Sequence, residues 1–133
     1  MEASLDELRW RVGVERALAG IVAEPEIARG LGPAVEHVLT RLVENHGLRE
    51  TASLTAYEPL AFSATFRRAA GISFFEFVDR ARVDASLLRL ATTDDPVESI
   101  ARDYGFLSRL TLTLSIEEYT GLPLAAVLSL LRP

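Results

Sequence analysis

Two stretches of this chain, fifty residues apart, carry the same skeleton. An offset of 50 pairs Phe62 with Leu112, Phe66 with Ile116, Gly71 with Gly121, Ile72 with Leu122 and Phe77 with Val127, and an offset of 49 pairs Ala52 with Ala101. Repetition at such a spacing means that one supersecondary unit is used twice. The matched positions are apolar or glycine, so they specify a core and a turn. The charges between them invert: Arg67-Arg68 in the first copy become Glu117-Glu118 in the second.

Around these stretches the pattern is helical throughout. Ser4 and Glu7 have capping-box spacing ahead of Leu5, Leu8, Val12 and Leu18, which predicts one amphipathic first helix. Pro25 and Gly30-Leu31-Gly32-Pro33 interrupt it and place a boundary, with an N-terminal helical arm over 1–32 and a main domain over 33–133. Pro33 opens a second helix carrying Val35, Val38, Leu39, Leu42 and Val43, stopped near Asn45 and Gly47. Short helices are expected at about 49–55 and 59–69. Ser73 and Glu76 cap the longest helix, about 74–92, with the stripe Phe74, Phe77, Val78, Ala81, Ala85 and Leu88. Asp95 as N-cap, Pro96 in the first turn and Glu98 at the third helical position restart the chain. Helices at about 96–103, 107–119 and 123–131 complete it. Alternation is short and β-branched residues are scattered, so no strand is expected. The fold class is all-α: a first unit over 33–72, a linker helix over 73–93 and a second unit over 94–133.

A length of 133 residues, 49% of them hydrophobic, suits one core. No apolar run reaches the roughly 18 residues of a membrane span, and the acidic start MEASLDELRW lacks a signal peptide's apolar stretch. A cytoplasmic protein with no membrane partner is expected. The absence of cysteine excludes disulfides and thiolate metal sites. His37 and His46 are nine residues apart, on opposite faces of any continuous helix, and His46 beside Gly47 reads as a helix end. No metal or cofactor is expected, and no enzyme: there is no ligand cluster, no phosphate-cradling glycine motif, and Glu117 and Glu118 diverge on a helix. Trp10 is expected as a core anchor.

Ile100-Ala101-x-x-x-Gly105-Phe106, with gap-free spacing to Tyr119-Thr120-Gly121 and Pro123, is similar to the I-A-x-x-x-G-F signature of the AraC/XylS transcription regulators. Gly71-x-Ser73-Phe74-x-x-Phe77 with Arg82 looks like G-x-S-F-x-x-Y-x-x-x-x-R, and Phe66-Arg67 resembles the F-K that closes the first recognition helix. Tyr104 through Thr113 is most similar to the small stand-alone MarA/SoxS/Rob group. The resemblance covers about residues 34–133. It implies two helix-turn-helix units on a rod-like helix, each placing its second helix in the major groove.

On that resemblance, DNA contact falls to Leu60, Ser63, Ala64, Arg67 and Arg68 in the first unit and to Ser108, Arg109 and Thr111 in the second. The reading positions depart from the family. Its closing S-R-x-F-K reads Ser63-Ala64-Thr65-Phe66-Arg67, and its usual second-unit Arg is Leu114. Glu117 and Glu118 would repel phosphate. Ala56 stands where the family prefers Gly, at a cost of about 1 kcal/mol if that backbone is left-handed. The formal charge is −5 and all 14 basic residues are Arg, against the basic face usual in small DNA-binding domains. Arg80, Arg82 and Arg89 are either phosphate contacts or ion-pair partners of Asp79 and Asp84.

Leu107, Leu110 and Leu114 share one helical face. Either the N-terminal arm covers them or they take a protein partner together with Glu117 and Glu118. Two functions follow. One is a transcription regulator whose DNA binding is weak or rests mainly on the first unit. The alternative is a protein-interaction module without DNA contact, acting as a homodimer or on another protein as co-regulator or anti-activator through the second recognition helix.

Overall fold

The computed structural model describes residues 4–133. Among them every regular element is helical: α1 (Leu5–Val12), α2 (Val14–Val22), α3 (Pro25–Thr40), α4 (Leu48–Ala52), α5 (Pro59–Ala70), α6 (Phe74–Thr92), α7 (Val97–Asp103), α8 (Arg109–Thr120) and α9 (Leu124–Leu131). The all-α expectation holds, and the repeat is legible in three dimensions. Gly71 and Gly121 terminate α5 and α8 in the left-handed region, at φ 80° and 78°. Phe62, Leu112, Phe66, Ile116, Phe77, Val127, Ala52 and Ala101 are all buried.

The chain divides into two compact units, one of Val14–Val78 and one of the residues through Gly13 together with Asp79–Pro133. The 1–32 arm is therefore not a body of its own, and its first three positions lie outside the described residues. Gly13, at φ 81°, ends α1 and splits the single first helix expected from the leucine spacing. The boundary at 30–33 is also absent, because α3 runs from Pro25 through Pro33 to Thr40. Pro25 sits at the first helical position, where its missing N–H is harmless. Pro33 cannot donate to the Arg29 carbonyl, and both residues lie on the exposed side of α3.

In the Val14–Val78 unit, α5 packs on α2, α3 and α4. Phe62, Phe66, Phe74 and Phe77 form its centre, with ring centroids 5.2 Å apart for Phe66–Phe77 and 5.3 Å for Phe62–Phe74, both near edge-to-face. Gly20 of α2 lies directly against the Ala69 carbonyl of α5, a gap that admits no side chain. His46 donates from Nε2 to the Arg41 carbonyl at 2.7 Å and caps the end of α3. Because α3 stops at Thr40, His37 and His46 do not diverge: their rings meet edge-on at 5.6 Å. Among the described residues, no cluster of three or more ligand-type side chains is suited to a metal.

In the second unit α1 packs on α8, and α7 on α8. Arg9 forks onto Asp84 through two bonds of 3.1 and 3.0 Å. Arg11 donates to the Thr120 carbonyl at 2.8 Å and Arg80 to the Val12 carbonyl at 2.8 Å. Arg80 also lies over the Tyr119 ring at 4.6 Å, while the Tyr119 hydroxyl donates to Asp79. Trp10 is 57% exposed and is not the core anchor expected. The α6 stripe holds through Ala81 and then changes: Val83, Ser86, Leu87 and Leu90 are buried, whereas Leu88 is exposed. No single helix among the described residues is long and apolar enough to cross a membrane.

Candidate nucleic-acid interface

The pairs α4–α5 and α7–α8 supply the two helix-turn-helix units. In the first, Pro59 starts α5 and Gly71 ends it. Phe62 and Phe66 turn one side of α5 into the core, which leaves Leu60, Ala61, Ala64, Arg67 and Arg68 exposed and Ser63 half-buried. Leu60 is 83% exposed and opens that outward face. Arg67 and Arg68 occupy the last turn of α5, where a cation also suits the helix dipole. Among the described residues neither makes an ion pair. Ala56 in the connecting turn is not left-handed, since all positive-φ residues described are glycines. The strain expected there does not arise. In the second unit Gly105 takes that conformation, at φ 88°.

The second unit brings Ser108, Arg109 and Thr111 to the start of α8 but gives each a local task. Ser108 is the N-cap, accepting from the Thr111 backbone N–H at 3.2 Å, and the two hydroxyls lie 3.1 Å apart. Arg109 pairs with Glu98 of α7 at 2.9 Å, and that bond holds the Glu98 carboxyl below its usual range. Glu98 is the contributor that sequence reasoning misses: it lies on a neighbouring helix, and no periodicity links the two. The outward face of α8 consists of Leu110, Leu114, Glu117 and Glu118, all exposed, with Leu107 just before the cap. Leu107, Leu110 and Leu114 are 96%, 65% and 59% exposed, so α1, although packed on α8, does not cover them.

The remaining arginines considered as phosphate contacts are engaged elsewhere. Arg89 donates to Asp95 at 2.9 Å and to Asp103 at 2.6 Å; the bond to Asp103, then that to Asp95, raises its pKa. Asp95 is thus an ion-pair partner and not the N-cap expected; Pro96, expected in the first turn, takes the N-cap place of α7 instead. Burial lowers the Arg82 pKa, with nearby Asp79 acting the other way. Asp84, expected to pair along α6, is taken by Arg9 of α1. Arg67 and Arg68 are left as the outward-facing basic pair of a recognition-type helix.

A family model described as a helix-turn-helix domain, of the AraC type, matches residues 51–129, more than half of the chain. The fold is similar to the C-terminal domain of AraT, a response regulator from Geobacillus stearothermophilus. That match has a TM-score of 0.68 at 17% identity, covering 74% of this chain and 83% of that one. Among curated proteins no significant relative is found.

Proposed function

The chain belongs to the AraC-type helix-turn-helix family, a family of transcription regulators, and we propose that its contact with DNA is weak and made mainly through α5. The observation that carries this reading is the outward face of α5, where Leu60 and Ala64 lie beside the exposed pair Arg67 and Arg68. Leu60, Ser63 and Ala64 would meet base edges or the thymine methyl, and Arg67 and Arg68 would hold phosphates. Ser108, Arg109 and Thr111 would approach the second groove segment. There Glu98 competes for Arg109, and Glu117 and Glu118 oppose phosphate. Two phosphate contacts give a slope of log affinity against log salt of about −2, at about 0.9 per contact.

Fluorescence anisotropy with labelled duplexes over a salt series tests this. Arg67→Glu is expected to abolish binding, and Arg109→Glu to change it little. Binding that is insensitive to salt, or that survives Arg67→Glu, overturns the reading. A second reading is supported by the exposure of Leu107, Leu110 and Leu114, which suits a protein partner better than a polyanion. On that reading α8 is an interaction surface and the protein acts through a dimer or another protein.

A further inference from the structure

The two recognition-type helices present equivalent faces with opposite charge. At an offset of 50, Leu60 corresponds to Leu110, Ala64 to Leu114, and Arg67-Arg68 to Glu117-Glu118, all of them exposed. In both helices the apolar end and the charged end are about 11 Å apart along the axis, from seven to eight residues at about 1.5 Å each. Among the described residues, none of the four charged side chains makes an ion pair. Arg109, at the far end of α8 from these acids, is taken by Glu98.

We infer that the outward face of α8 docks on the outward face of α5 in a second copy of this chain. Laid parallel in register, Leu110 meets Leu60, the bulky Leu114 meets the small Ala64, and Glu117-Glu118 meet Arg67-Arg68. No self-pairing of one face does this. Two α8 faces in parallel bring four carboxylates together, and antiparallel they set carboxylates against leucine. Two α5 faces do the same with guanidinium groups. The contact joins unlike surfaces, so two copies close it reciprocally or further copies extend it. Its consequence rests on the DNA reading of α5 given above: α8 of one copy occupies the phosphate-facing pair of another, and self-association competes with DNA.

Sedimentation of the full chain over a wide concentration range at low salt tests the docking without DNA. The wild type is expected to associate reversibly, less so as salt rises. Arg67→Glu/Arg68→Glu in one variant and Glu117→Arg/Glu118→Arg in another are each expected to raise the dissociation constant about tenfold or more when alone. Mixing the two restores association, because every α5 face again finds an opposite α8 face. This mixture also shows that both variants are folded. A wild type that stays monomeric overturns the docking, as does association indifferent to these charges or not restored by mixing. Titration of labelled DNA with Leu110→Asp, which adds no cation, reads the competition separately. Its DNA affinity is expected to rise relative to the wild type at concentrations where the wild type is associated. If DNA is not bound at all while the mixing pattern holds, the α5–DNA reading falls and the docking stands.

Discussion

Gly71 and Gly121 end their helices with a left-handed residue in open space, since nothing lies within reach of an added side chain. Alanine at either site therefore meets no clash and only backbone strain, and each substitution is expected to cost about 1 kcal/mol by urea denaturation. Gly20 presents the opposite case. Helix propensity favours alanine there by about 1 kcal/mol. Its methyl group would nevertheless strike the Ala69 carbonyl, and backbone gives way poorly. Gly20→Ala is expected to lower the melting temperature despite its better propensity. The Arg89 cluster sets a pH dependence. The bond from Arg89, the largest cause, holds Asp95 below its ordinary pKa of 3.8. A carboxyl depressed in the folded state adds stability above its unfolded pKa and loses it as pH falls through the folded value. The stability difference between wild type and Asp95→Asn is expected at neutral pH and should vanish under strongly acid conditions, as thermal melts would register.

At the scale of elements, α5 and α8 differ in how they end. Arg67 and Arg68 complement the negative end of α5, whereas Glu117 and Glu118 stand at the negative end of α8. Glu117→Gln/Glu118→Gln is expected to stabilise the protein by about 0.5 kcal/mol at low salt, with the gain shrinking as salt is added. Denaturant titrations at two ionic strengths would measure it. Most elements are legible in the sequence, because α5, α6, α7, α8 and α9 each begin at a serine or proline, and α5 and α8 end at glycine, within about two residues of expectation. The misses have physical causes. Pro25 and Pro33 read as breaks, but a proline at a helix start or on a wet face does not stop a helix. Gly13 sat inside an apolar spacing that looked continuous. The outward residues of α5 and α8 followed from the family spacing. The withdrawal of Arg109 by Glu98, and the failure of α1 to cover the leucines, depend on contacts between helices that spacing does not encode.

At the scale of the whole molecule, the second unit is discontinuous in the chain: α1 belongs with residues beyond Asp79. Leu8 and Val12 are fully buried there, and Arg9, Arg11 and the Val12 carbonyl are bonded to Asp84, Thr120 and Arg80. Removing residues 1–12 should therefore destabilise α6–α9, far away in sequence, more than α2–α5. Hydrogen exchange of the truncated chain, resolved by segment, would check this. The Arg9–Asp84 fork closes a loop of 75 residues, and its length has a consequence during synthesis. When α1 leaves the ribosome its acceptors do not yet exist. The segment that becomes Val14–Val78 has all its own partners sooner, while α1 must wait for Arg80, Asp84 and Thr120 to emerge before it is seated. A ribosome stalled when Val78 has cleared the exit tunnel but Arg80 and Asp84 have not would hold a nascent chain in which the 14–78 unit resists protease and α1 is still cut.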